Sequence, residues 1–121
     1  MQPGEEINVV LPWPPSINSY WRRKGARYFI SKKGQQFRSD VIYLCYKYKG
    51  MFCKDERLKI QIQAFPPDKR RRDIDNILKG LMDSFEHAQI FLDDSQIDEI
   101  HIKRFHQYHD KVIVSIMEIT D

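Results

Sequence analysis

Cysteine is scarce in this chain. Cys45 and Cys53 are the only two in 121 residues, and they stand eight positions apart outside any Cys-x-x-Cys pattern. That spacing offers no zinc site, and two isolated thiols are expected to stay reduced in a cytoplasmic setting. Long apolar runs are missing as well. Nothing approaches the ~20 residues that cross a bilayer, so no membrane association is expected. The opening Met1-Gln-Pro-Gly-Glu-Glu has no basic region ahead of an apolar one, and no secretory leader is read there. His87, His101, His106 and His109 show no ligand spacing with one another. Repeats, linkers and low-complexity tracts are absent.

A chain of 121 residues that is 41% hydrophobic and 12% aromatic has the material for one core. One domain spanning 1–121 is expected. The net charge of +3 is modest, but its distribution is uneven. Cations cluster at Arg22-Arg23-Lys24 with Arg27, at Lys32-Lys33, at Lys69 to Arg72, and at Lys103-Arg104. Acid concentrates between Asp73 and Glu99. A small net charge can therefore hide a positive surface with an acidic pocket in it.

The hydropathy pattern predicts an α+β domain around one mixed sheet with two main helices. Ile7 to Leu11 is a short β-branched strand, stopped by Pro12-Trp-Pro-Pro15, which lack ladder N–H groups. Ser16 to Arg23 reads as extended or loop. Gly25 marks the turn of a hairpin whose second strand is Arg27 to Ile30, with Arg22, Arg23, Lys24 and Arg27 at its tip. Ser31 is a helix cap, and Phe37, Val41, Leu44, Cys45 and Tyr48 continue at helical spacing to about Lys49. Leu58 to Phe65 alternates at period two, the mark of a half-buried strand. Asp73 caps a second helix running to about Ala88, with Ile74, Ile77, Leu78, Leu81, Met82 and Phe85 as its apolar stripe. Phe91 to Ser95 is a turn. Ile97 to Phe105 and Val112 to Ile119 are strands, joined by a hairpin loop at His106 to Lys111.

The densest chemistry lies at Lys69-Arg70-Arg71-Arg72-Asp73-Ile-Asp75-Asn-Ile-Leu-Lys79, followed by Asp93-Asp94. Each part alone has an ordinary reading. An Asp at a helix start usually caps it, an Asp/Lys pair four apart is a surface pair worth ~0.3–0.5 kcal/mol, and Asp-Asp is often a turn. Together they suit a divalent metal held against a phosphodiester. Converging carboxylates repel one another unless a cation sits among them. An Asp and water donor set with no His or Cys favours Mg²⁺ or Mn²⁺. Such an ion polarises phosphate and activates water, Lys79 is placed to neutralise developing charge, and the basic run supplies phosphate contacts. The difficulty is distance. A helix of ~15 residues is ~22 Å long, so Asp94 reaches Asp73 and Asp75 only if the next strand folds back beside the preceding one, or if it comes from a second copy of the chain. No Asp or Glu has lysine two positions later, which sets the chain apart from restriction-type nuclease cores.

Leu11-Pro-Trp-Pro-Pro-Ser16, then Asn18 and Tyr20, then the basic run with Asp73-x-Asp75-Asn76-x-x-Lys79, then Leu92-Asp-Asp-Ser-Gln96 resemble the RusA family of Holliday junction resolvases from about Ile7 to Glu118. The resemblance implies a small homodimeric, cytoplasmic endonuclease of bacterial or phage origin, acting in DNA recombination and repair. It implies symmetric nicking of four-way DNA junctions with Mg²⁺ or Mn²⁺. It further implies Asp73, Asp75 and Asp94 as metal-binding catalytic carboxylates, Lys79 as the catalytic lysine, and Arg72 as a DNA contact. A homodimer also follows from symmetry, because a four-way junction is roughly two-fold and two opposed strands must be cut by a chain with one candidate site.

Lys69, Arg70, Arg71 and Arg72, and the hairpin residues Arg22, Arg23, Lys24 and Arg27, are expected to contact DNA. Tyr20 and Trp21 are either stacking partners for exposed bases or packing residues. Trp13 and Phe65 are expected to pack. Two other functions fit the composition: a non-catalytic nucleic-acid-binding protein whose aspartates only cap and pair, and a nuclease acting on RNA or other branched DNA.

Overall fold

Two strands of opposite character set the sheet. The structure, a computed structural model, describes residues 6–119. Of the N-terminal stretch discussed above, residues 1–5 lie outside them, as do the last two residues. Strand β6 (Lys111–Glu118) buries Val112, Val114 and Ile116 completely and keeps Ile113, Ser115 and Met117 half-buried. Strand β5 (Ile97–Arg104) reads IDEIHIKR and is mostly exposed. An apolar strand suits the sheet interior and a charged one its edge. The order is β1-β6-β4-β5, with β1 at Glu6–Pro12 and β4 at Leu58–Phe65. β6 runs antiparallel to both neighbours, whereas β4 and β5 are parallel. The hairpin expected between the last two strands is therefore not formed. β6 leaves β5 and inserts between β1 and β4, where its apolar side chains are covered.

Ile60, Ile62, Ala64, Val112, Val114, Ile7 and Leu11 point to one face of the sheet and meet Phe37, Val41, Leu81 and Phe85 from the helices. Each such side chain contributes on the order of 1.5–3 kcal/mol by leaving water. The opposite face carries Gln61, Gln63, His101 and Lys103 in register and is open to solvent.

Helix α2 (Lys32–Leu44) starts where expected, since the Ser31 hydroxyl accepts the Gly34 N–H at 2.9 Å. It ends earlier than expected and passes into a 3₁₀ turn at Tyr46–Tyr48. Its exposed Ile42, Tyr43 and Leu44 have no core to face. Of Ser16 to Arg23, expected as extended or loop, only Trp21 to Arg23 is extended; the rest is a capped helical turn. Ser16 caps a single turn, α1 (Ile17–Tyr20), and strand β2 (Trp21–Lys24) follows. Strand β3 (Arg27–Ile30) completes a separate two-stranded hairpin, turned at Gly25 with φ +62°. A side chain is disfavoured in that left-handed conformation.

Tyr20 is fully buried, which removes it as a base-stacking residue. Its hydroxyl donates to the Asp83 carboxylate, and Arg38 donates to the same oxygen at 2.7 Å. The three groups tie α1, α2 and α3 (Leu78–His87) together. A Cβ on Gly34 would lie 2.6 Å from the Tyr20 carbonyl oxygen, so only glycine admits this approach. Burial, then the hydrogen bond to Asp83, raises the Tyr20 pKa above that of a free phenol.

Candidate active site

The chain leaves β4 at Phe65, which stacks on Phe105 with centroids 4.9 Å apart, and enters the basic loop. Asp68 organises that loop. Its carboxylate accepts the Arg70 N–H at 2.9 Å and pairs with Arg72 at 2.8 Å, and these contacts hold its pKa below the usual carboxylate range. Arg72 is also bonded to the carbonyls of Asp68 and Arg70 and lies 5.9 Å from the centre of the Trp13 ring. Its carbonyl accepts from Arg104. Arg72 thus spends much of its hydrogen-bonding capacity inside the protein, while Lys69 and Arg71 are exposed.

Asp73 stands at the cap position with extended backbone (φ −79°, ψ 135°), yet its side chain makes no cap hydrogen bond. The carboxylate is left free to face a cleft of about 840 Å³ between the Pro12–Ser16 segment and Arg70 to Asp73. The helix also begins differently from the sequence expectation. Ile74–Ile77 is a 3₁₀ turn, and regular α-helix starts only at Leu78. Asp75 and Lys79 are both exposed, Asp75 on the 3₁₀ turn and Lys79 on the first α turn. Lys79 and Glu86 lie seven residues apart, two helical turns, and the Lys79 charge acts on Glu86.

The far end of α3 carries the acidic group. Glu86, Asp93 and Asp94 each offer a carboxylate oxygen, all within 4.8 Å of one another. Among the described residues this is the one such group of three; Asp73 and Asp75 are not in it. The reason is the topology. β4, α3 and β5 form a crossover between parallel strands, so the chain returns to the end of the sheet where β4 began. Asp73 follows the last residue of β4, whereas Asp94 precedes the first of β5, and an eight-residue strand is about 23 Å long. The strand does fold back beside its predecessor, but within one chain it takes Asp94 away from Asp73.

Glu86 was not foreseen from the sequence. Its signal was present: Lys79 and Glu86 repeat the helical face that Asp75 begins. Burial, followed by the charges of Asp94, Asp93 and Asp83, raises its pKa, and Lys79 opposes this. An oxygen-only donor set suits a hard divalent cation. A Mg²⁺ at ~2.1 Å from each oxygen would hold them within ~4.2 Å of one another, close to the 4.8 Å within which they already lie.

Gln96 positions this end. Its side-chain oxygen accepts the N–H groups of Leu92 (2.7 Å) and Asp93 (3.2 Å), and its amide donates to the carbonyls of Phe52 (3.1 Å) and Glu56 (3.0 Å). Asp93 in turn caps the 3₁₀ turn Asp94–Gln96 by accepting the Ser95 N–H, and that bond is the first cause of its lowered pKa.

The chain matches the family profile described as Endodeoxyribonuclease RusA over residues 12–117. It is 50% identical over 99 residues to the crossover junction endodeoxyribonuclease rusA of Enterobacteria phage HK97, covering 82% of each chain. It is 37% identical over 90 residues to the protein of that name from Escherichia coli strain K12, and 39% identical over 93 residues to that of Enterobacteria phage 82, covering 74% of this chain and 75% of the relative in both cases.

Proposed function

The chain belongs to the RusA family of endodeoxyribonucleases, and on that premise we propose that it resolves four-way DNA junctions by paired, symmetric, metal-dependent nicks, acting in recombination and repair. The observation that carries the reading is the division of α3. One end presents Asp73 and Asp75 beside a basic cleft, and the other presents Glu86, Asp93 and Asp94 beside Lys79's face.

The division favours a C2 dimer as the working unit. Two α3 helices packed antiparallel would set the Asp73/Asp75 end of one copy against the Asp93/Asp94 end of the second, because a two-fold axis relates the two contacts. Asp75 and Glu86 are separated by about 17 Å of helix, so neither end completes the three-aspartate set alone. Two such composite sites match the two opposed strands of a junction.

Asp73, Asp75, Asp94 and Glu86 are the residues that would hold a Mg²⁺ or Mn²⁺, which supplies Lewis-acid polarisation of the scissile phosphate and a more acidic water. Lys79 neutralises charge developing on the phosphate oxygens. Lys69, Arg70 and Arg71 grip the flanking backbone, with Arg72 holding the loop that carries them, and Arg22, Arg23, Lys24 and Arg27 extend the footprint. The family reading implies a cytoplasmic DNA enzyme of bacterial or phage origin, and no described helix is long and apolar enough to cross a membrane.

The test is incubation of labelled four-way junction, linear duplex and RNA with Mg²⁺, Mn²⁺ or EDTA. Paired cuts in the junction alone, abolished by EDTA, are expected. Binding of junctions without cleavage at any metal concentration overturns the enzymatic reading.

A further inference from the structure

The β2–β3 hairpin belongs to neither the sheet nor the acidic site. Two-stranded hairpins are marginal on their own in water, and this one is exposed at every residue from Arg22 to Phe29. Its register separates two faces. One pairs Trp21 with Ile30 and Arg23 with Tyr28; the other pairs Arg22 with Phe29 and Lys24 with Arg27. Like charges directly opposite one another destabilise a hairpin, yet Lys24 faces Arg27 and no carboxylate is near in sequence. From Ile7 to Ser39 the chain has seven cations and no Asp or Glu. Tyr28 is 68% exposed and Phe29 46% exposed. Arg23 lies against the Tyr28 ring, 5.7 Å from its centroid, and donates to the Gly25 carbonyl at 2.7 Å. Beside them is a shallow cup of about 670 Å³ lined by Ile17, Asn18, Trp21, Arg22, Arg23 and Tyr28.

A self-repelling cationic arm with bare aromatic rings fits a partner that is polyanionic and offers flat π-faces. Nucleic acid with unstacked bases is both. A second copy of the same arm is not, because cation would meet cation. Resting on the reading above, we propose that the hairpin is a base-stacking arm. Tyr28 and Phe29 stack on bases exposed where the duplex arms part, while Arg22, Lys24 and Arg27 hold the phosphates beside them. The arm recognises the branch, whereas the basic loop at Lys69 to Arg72 recognises duplex backbone.

Binding is measured in EDTA, so that cleavage does not enter, with a four-way junction and a linear duplex each carrying 2-aminopurine, beside the branch or at the equivalent position. Because stacking quenches 2-aminopurine, the wild-type protein is expected to lower the junction's fluorescence and leave the duplex unchanged. Tyr28→Ala/Phe29→Ala is expected to abolish the quenching and weaken junction binding at least about ten-fold, with duplex affinity retained. Tyr28→Trp/Phe29→Trp should restore both. Arg22→Ala/Arg27→Ala should weaken junction binding and lower its salt slope by about two. Equal junction affinity and equal quenching in the alanine double variant overturn the proposal. So does a change in its oligomeric mass, which would make the hairpin a contact between copies. A wild-type protein that does not prefer junctions over duplex overturns the resolvase reading itself, a separate result.

Discussion

Asp93 and Gln96 cap one another: the Gln96 side-chain oxygen accepts the Asp93 N–H at 3.2 Å, and the Asp93 carboxylate caps the turn that contains Gln96. The pair fixes the loop that presents Asp94. Because Gln96 is buried and also donates to Phe52 and Glu56, it joins that loop to the segment before β4.

Gln96→Ala is expected to cost about 2–4 kcal/mol, since it strands several buried backbone groups at once. Cleavage should fall further than stability predicts, because Asp94 loses its support. Urea unfolding beside junction cleavage checks this; a variant with wild-type stability and rate removes Gln96 from any positioning role.

On the proposed ligand set, Asp73→Asn, Asp75→Asn and Asp94→Asn should each abolish cleavage with junction binding kept, since each would remove an anionic ligand and adds no bulk. A mixture separates composite from single-chain sites. A heterodimer of Asp75→Asn and Asp94→Asn chains holds one doubly damaged site and one intact site if the ligands come from two copies. Single nicking should then return on mixing and refolding the two dead variants. No recovery, despite proven heterodimers, assigns all ligands to one chain.

Glu86→Gln should raise the melting temperature in EDTA by about 2–5 °C, because it relieves carboxylate repulsion at the Asp93/Asp94 turn. Mg²⁺ should stabilise the wild-type protein by mass action and the variant less. An identical Mg²⁺ increment in both proteins shows that Glu86 is not a ligand.

The basic loop should divide into two kinds of arginine. Arg71→Ala is expected to weaken DNA binding and reduce the salt slope by about one while leaving thermal stability unchanged. Arg72→Ala removes the contacts with Asp68, Trp13 and two carbonyls, so it should lower stability as well. Equal melting temperatures for the two variants would contradict the division.

Much of this protein was legible in one dimension. Periodicity located β4 to the residue, Ser31 was correctly read as a cap, and the four-residue spacing of Asp75 and Lys79 marked a shared helical face. These features depend on neighbours within about four positions, which sequence displays directly. The second helix start was misread because Asp73 is at the cap position without acting as a cap, an outcome decided by the loop before it.

Pairing partners are chosen by burial over the whole sheet, and there local pattern was insufficient. β5 and β6 are consecutive and close enough for a hairpin, yet β6 is the apolar strand and takes the interior position. That choice makes β5 the parallel neighbour of β4 and sends Asp94 to the end of the sheet away from Asp73. The sequence by itself determined which residues carry acid, base and apolar stripe, since those are properties of side chains and their spacing. Only the tertiary structure decided that Glu86 joins Asp93 and Asp94, that Tyr20 is buried while Tyr28 and Phe29 are bare, and that one chain separates its aspartates by a helix length. Those outcomes depend on the direction of a strand, which is set by the packing of the entire core.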